Sequence, residues 1–274
     1  MSDDEAERRE WEVRKDSGPA PRPPTDSSLG SEVGLGALER LFAPWPVIAE
    51  EARIPAEAPA VPPEEAAEVA HAIHRRRVEF ATGRACARSA LARIGVSGFL
   101  LRNDDRRSPR WPANVVGSLT HTGEVPGGYC AVVVARADRM LTLGVDAEKA
   151  TDLPARLWSF VLTPAEELWL QGLSPAHQGL LAKVIFSAKE SYYKAQYPIT
   201  RRWLGFQDVT VALDVGRATF EVELSSNVPP RASLDASPTS FLGEVPRRCT
   251  GRFSFDEELV KTAVAVPRPR ISLL

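Results

Sequence analysis

Hydrophobic and polar positions change period along this chain, and the changes divide it. Up to about residue 31 apolar residues are sparse, and four prolines fall between Pro19 and Pro24. Such a stretch buries too little surface to offset its ordering entropy, so a disordered tail is expected. Residues 35–45 suit a short amphipathic helix, and the chain from Pro46 onward suits a strand. After the proline-rich stretch 55–63 comes the longest helical pattern. From Glu64 to about Arg93 there is no proline, acids occupy the first turn, and Ala66, Val69, Ala70, Ile73, Phe80 and Leu91 recur near helical spacing, with Gly95 as a stop. Strand patterns follow at 112–120, 129–136 and 141–148.

Thr163-Pro164-Ala165-Glu166 is a capping box with proline at the first helical position, so a helix begins there; Gly172 and Pro175 break it. A second helix is expected over about 176–196, stopped by Pro198. Strand patterns return at 207–213, 217–224 and about 249–265, with a polar loop at 225–240 before the last. Helix and strand are mixed throughout, and strands follow helices in both halves. This predicts an α+β fold that suggests one unit used twice, although no direct repeat is visible.

Composition narrows the function classes. With 43% hydrophobic and 26% charged residues the chain has an ordinary globular balance. No apolar run approaches the roughly 20 residues that cross a bilayer, so no membrane span is expected. The charged N-terminus does not resemble a secretory signal. Cys86, Cys130 and Cys249 lack metal-ligand or paired spacing and read as reduced thiols of a cytoplasmic protein. The net charge of −2 is concentrated in residues 1–30, which hold eight acids and five bases. The nearly neutral body argues against a nucleic-acid binder, so any anion site must come from local clustering.

Four segments carry candidate chemistry. In Gly144-Val145-Asp146-Ala147-Glu148 a strand would turn Asp146 and Glu148 to one face, as a Mg²⁺ site would need or as a solvated strand end beside Lys149 would have it. In Phe186-Ser187-Ala188-Lys189-Glu190-Ser191-Tyr192-Tyr193-Lys194 a helix would align Glu190 with Lys194, either as an i,i+4 salt bridge or as a base beside a phosphate-binding cation. Between 75 and 93 lie Arg75, Arg76, Arg77, Arg84, Arg88 and Arg93 against Glu79 alone. That run fits a solvated face or a polyanion site, and Arg102, Arg106, Arg107 and Arg110 extend it. In Gly117-Ser118-Leu119-Thr120-His121 a histidine lies between hydroxyls, as a ligand contact or a structural donor.

Together these segments resemble the 4′-phosphopantetheinyl transferases, in particular the larger Sfp-type enzymes that activate carrier proteins of peptide, polyketide and siderophore synthases. The pattern Gly-(Val/Ile)-Asp-x-Glu stands at Gly144 to Glu148. The pattern (Phe/Trp)-Ser-x-Lys-Glu-(Ser/Ala)-x-x-Lys stands at Phe186 to Lys194. Trp111-Pro112 with Gly117 to His121 matches an upstream motif, and Arg76 to Ala87 matches Arg-x-x-Glu-Phe-x-x-Gly-Arg-x-x-Ala. Asn114 departs from the pattern, where relatives usually have glycine.

The resemblance implies a pseudo-twofold pair of similar α+β halves, with the tail at 1–31, an N-terminal half at 32–143 that binds the nucleotide, and a C-terminal half at 144–274 that carries metal and catalysis. On that pattern Asp146, Glu148 and Glu190 hold Mg²⁺, and Glu190 and Lys194 are catalytic. Coenzyme A meets Arg76, Arg84, Arg107, Arg110, Ser118, Thr120, His121, Asp146, Lys189 and Lys194, with Arg77 an alternative to Arg76. The implied reaction transfers phosphopantetheine from coenzyme A to a serine of an apo acyl or peptidyl carrier protein and releases 3′,5′-adenosine bisphosphate. A monomeric pseudodimer is implied. The competing expectation is an inert coenzyme A-binding regulatory protein. Trp203, Leu204 and Phe206 are candidates for the carrier surface or for the core.

Overall fold

The computed structural model describes residues 38–226, 228 and 247–268. The expected tail and most of the 225–240 loop lie outside the described residues.

The chain runs α1 (Leu38–Leu41), β1 (Ile48–Arg53), α2 (Pro63–Ala66), a short turn of 3₁₀ helix (Ala67–Val69), α3 (His74–Arg93), β2 (Val115–Thr122), β3 (Tyr129–Arg136) and β4 (Met140–Lys149). It continues through α4 (Trp158–Val161), α5 (Pro164–Gln171), α6 (Pro175–Thr200), β5 (Val209–Asp214), β6 (Thr219–Leu224), β7 (Arg248–Phe255) and β8 (Leu259–Pro267). Two antiparallel sheets result, one ordered β1-β3-β2 and the other β4-β8-β7-β6-β5. The α+β expectation is met.

Period-two alternation explains how the layers meet. On β3, Cys130, Val132 and Val134 face a cluster beneath α3 with Val78, Ala87, Ala90 and Leu91. Ala131, Val133 and Ala135 face a middle cluster that also takes Leu143, Val145 and Ala147 of β4 and Ala263 of β8. A third cluster seats α6, through Leu181, Val184, Ile185, Ala188 and Tyr192, on the second sheet. The middle core is shared by both sheets. A buried ion pair crosses it, Lys261 Nζ to Glu51 Oε2 at 2.8 Å, and Tyr129 donates to the same carboxylate at 2.6 Å.

Two sequence expectations need correction. The helix expected from Glu64 to Arg93 is broken at 70–73, where Ile73 turns extended before α3 begins. A straight helix would hold Glu65 and Arg88 about 34 Å apart. The break folds the first segment back, so that the fully buried Glu65 accepts from Arg88 at 2.7 Å and from the Leu101 N–H at 2.9 Å. Pro198 does not stop α6, which runs on to Thr200. A proline so near the end removes only one intrahelical hydrogen bond, and the stop comes from Arg201 in the left-handed conformation at φ 56°. The box at Thr163 caps α5 as expected. The pattern at 249–265 is a hairpin, β7 turning into β8. Among the described residues no helix is long and apolar enough to cross a membrane.

Candidate active site

A cavity of about 690 Å³ lies where α3, β2, β4 and α6 meet. Its acidic wall comes from β4 and α6. Gly144 lets α6 cross β4 closely, since a Cβ there would run into the Ser191 carbonyl. That approach places Asp146 against the helix. Ser187 Oγ donates to Asp146 Oδ2 at 2.8 Å, Lys194 Nζ to Oδ1 at 2.7 Å and Thr120 Oγ1 to Oδ1 at 3.2 Å. Glu148, two residues on along β4, shares the face and lines the cavity, as do Glu190 and Lys194. Burial, and then repulsion from Asp146, pushes the Glu148 carboxyl up to about 7. The same two causes raise Glu190, with Lys194 opposing.

The opposite wall is basic. Arg84 is only 3% exposed; its guanidinium lies 4.1 Å over the Phe80 ring, and Nη2 donates to Asn103 Oδ1 at 2.9 Å. Its Nε has no partner, the only such buried side-chain atom among the described residues. A buried charged donor left unsatisfied is costly and marks a place for an anion. Arg76 Nη1 stands 2.9 Å from His121 Nε2. Arginine can only donate, so Nε2 accepts and the proton of the neutral ring sits on Nδ1. Burial, with Arg76 and Lys194 adding to it, holds His121 below its ordinary value against the pull of Glu79.

The loop carrying Arg106, Arg107 and Ser108 completes this wall. Asp104 organises it, accepting from the Arg106 and Ser108 N–H groups and from Arg201 at the end of α6. Asn114 adopts φ 64°, a left-handed conformation that asparagine tolerates better than most residues, which accounts for its standing where glycine is usual.

Of the residues singled out in the sequence, Arg76, Arg84, Arg107, Ser118, Thr120, His121, Asp146, Glu148, Glu190 and Lys194 line this cavity. Lys189 and Arg110 do not. Arg110 is exposed outside the cavity lining. Lys189 is 2% exposed and bonded to Glu166, the Val161 carbonyl and the Phe206 carbonyl, because the residue before Glu190 leaves a helix about 100° away from it. Between the alternatives at the start of α3, Arg76 lines the cavity and Arg77 does not.

Ser118 and Thr120 line it with hydroxyls already engaged: they accept from the Val145 and Ala147 N–H groups at 3.2 and 3.1 Å, stitching β2 to β4. Half of the arginine run serves the fold. Arg75 pairs with Glu79, Arg88 with Glu65, and Arg93 with Glu39 and Glu50. Sequence reasoning missed Tyr193 and Tyr197, which line the cavity three and seven residues after Glu190, a spacing that could have revealed them. It also passed over Asn103, which is held through backbone contacts to Glu68 that leave no local pattern. Trp203 borders the cavity, whereas Leu204 and Phe206 pack against the core.

Among the described residues no three acid, histidine or cysteine side chains form a ready metal cage. The donor chemistry nevertheless fits a hard divalent cation. Asp146 raises the proton affinity of both Glu148 and Glu190, and Glu190 that of Glu148, with Lys194 on Asp146 and Lys183 4.0 Å from Glu148 as partial compensation.

Comparisons with known proteins agree with this geometry. A family model described as the 4′-phosphopantetheinyl transferase N-terminal domain matches residues 64–135, and one described as the 4′-phosphopantetheinyl transferase superfamily matches residues 142–237. The chain is 39% identical over 208 residues to 4′-phosphopantetheinyl transferase Svp of Streptomyces mobaraensis, covering 76% of this chain and 79% of the relative. It is 36% identical over 206 residues to 4′-phosphopantetheinyl transferase PptT of Mycobacterium tuberculosis, covering 74% and 85%. Enterobactin synthase component D of Escherichia coli strain K12 is 33% identical over 131 residues, covering 47% and 59%. With both family models matched in order, and their residues forming the two walls of one cavity, the chain belongs to the 4′-phosphopantetheinyl transferase superfamily and is a transferase.

Proposed function

We propose that this enzyme transfers the 4′-phosphopantetheine arm of coenzyme A to a serine hydroxyl of an apo acyl or peptidyl carrier protein, with Mg²⁺, releasing 3′,5′-adenosine bisphosphate. The observation that carries the reading is the facing, across one cavity, of the buried Arg84, whose Nε has no partner, and the three carboxylates Asp146, Glu148 and Glu190.

In this reading Arg84, Arg76 and Arg107 hold the nucleotide phosphates, and His121 stands with them, gaining a proton or donating from Nδ1 as the phosphate demands. Asp146, Glu148 and Glu190 would hold Mg²⁺, which when bound neutralises charge on the pyrophosphate. The acceptor serine oxygen attacks the β-phosphorus as the bond to the bridging oxygen breaks, and the electron pair leaves on the adenosine bisphosphate. Glu190, made more basic by burial, takes the serine proton, and Lys194 stabilises charge on the departing phosphate. Ser187 and Thr120 keep Asp146 oriented toward Lys194. Carrier proteins of peptide, polyketide or siderophore synthases are the proposed acceptors.

Intact-mass measurement of an apo carrier protein incubated with the enzyme and coenzyme A tests the reading. The expected result is a gain of one phosphopantetheine on the carrier serine with Mg²⁺ and none with EDTA. Coenzyme A binding without any gain across several carriers would instead support an inert binder.

A further inference from the structure

Lys189 belongs to the same short motif as Glu190 and Lys194, yet its ammonium points away from the cavity. All three of its donors are used, each at 2.8 Å, on Glu166 Oε2, the Val161 carbonyl and the Phe206 carbonyl. Glu166 is equally committed. Its Oε2 also accepts from the Thr163 N–H at 2.6 Å, and Oε1 accepts from the Val211 N–H at 2.6 Å. This buried joint therefore ties α6 to the end of α4, the start of α5, the segment 201–208 and β5.

The segment 201–208 follows the end of α6 and has no regular structure until the 3₁₀ turn at Phe206. It carries Trp203, which is 80% exposed at the cavity rim with its ring edge-on to Tyr193 at 5.5 Å. Gln207 supports the joint from outside, donating to the Leu162 carbonyl at 2.7 Å and to the Ser159 and Phe160 carbonyls. Phe206 packs its ring on Phe160 and Phe186. A buried ion pair adds little net stability, but it fixes the geometry of the groups it joins.

We propose that Lys189 is a positioning residue for the acceptor side of the reaction, holding the Trp203 rim in place from beneath through the Phe206 carbonyl. This rests on the transfer reaction proposed above. Of the groups assigned to the nucleotide, Arg76, Arg84 and His121 stand on α3 and β2 and Arg107 on the loop between them. That loop meets the rim segment at its first residue, Arg201, through Asp104, whereas a protein acceptor reaches the reacting centre past the exposed Trp203. Loosening the rim therefore separates acceptor recognition from coenzyme A binding.

The test compares Lys189→Met, Lys189→Arg and Gln207→Ala with the wild type by carrier kinetics, coenzyme A calorimetry and hydrogen–deuterium exchange. Lys189→Met is expected to raise KM for the carrier about tenfold, with coenzyme A Kd within about twofold and kcat less affected than KM. Peptides covering 201–208 gain deuterium while those from the middle of α6 do not. Lys189→Arg keeps most of the wild-type carrier KM and exchange protection, and Gln207→Ala shows the Lys189→Met effect more weakly. If Lys189→Met fails to fold, Gln207→Ala carries the same comparison without leaving a buried charge. Loss of coenzyme A affinity in step with carrier KM, or unchanged exchange at 201–208, overturns the proposal. If the wild type transfers nothing to any carrier, the proposed reaction fails, while the exchange measurement still decides whether Lys189 holds the rim.

Discussion

The two long helices that flank the cavity handle charge in opposite ways. On α3, arginines outnumber acids, and the fold neutralises Arg88 and Arg93 with carboxylates from α1, β1 and α2 (Glu39, Glu50 and Glu65), while Arg75 takes Glu79 of α3 itself. What remains on the cavity side is a small positive surplus around Arg84 and Arg76. On α6 and β4 the surplus is negative, with Asp146, Glu148 and Glu190 opposed by Lys194 and the more distant Lys183. The difference teaches where to look for chemistry. Charges matched inside the protein build the scaffold, and the imbalance left on each wall is what a ligand of opposite sign completes.

The sharpest test of the acidic wall is Glu190→Gln. Turnover on a carrier protein should fall by about 10²–10⁴-fold, the usual scale for losing a positioned base, while coenzyme A Kd moves by no more than a few fold. Normal turnover would remove Glu190 from the chemistry. On the basic wall, Arg84→Met should weaken coenzyme A binding by about 10–100-fold in calorimetry, because a charged hydrogen-bonding group is lost from a buried position.

Arg88→Met is its counterpart. It leaves Glu65 buried and short of a partner, so thermal unfolding should show a loss of about 1–3 kcal/mol with coenzyme A binding unchanged. If the two arginine variants weakened coenzyme A equally, the division between scaffold and surplus charge would collapse.

The smallest effect concerns His121. Its pKa is depressed in the folded protein, so the unfolded chain binds more protons below about 6.5, and stability contributed by this residue is lost as pH falls through that range. NMR titration of the imidazole should place its midpoint below that of an exposed histidine, and a bound phosphate should move it upward. A midpoint that ignores coenzyme A would place His121 outside the anion site.

The reading of the sequence reached further for the site than for its supports. The acids of β4 and the pair Glu190 and Lys194 were legible because each follows a local period, alternate positions on a strand or successive turns of a helix; Arg84 with Arg76 came from the motif alone, since the helical period sets Arg77 nearer the face of Arg84. Lys189 misled because motif membership says nothing about which way a side chain leaves the helix. The break at 70–73 misled because its cause, the meeting of Glu65 with Arg88 and Leu101, joins residues distant in the chain. The hydroxyls of Ser118 and Thr120 likewise found partners on β4 that no local pattern announces.

By itself, the sequence determined the mixed helix and strand content, the capped start of α5, the alternating strands and the residue types of both walls. These depend on backbone preference and periodicity, which act over a few residues. Only the tertiary structure decided which arginines are neutralised, that Lys189 faces the core, that Gly144 lets α6 lie on β4, and that Arg84 is left with an unsatisfied donor. Those outcomes depend on which surfaces are desolvated against which, and desolvation is a property of the packed molecule rather than of any one segment.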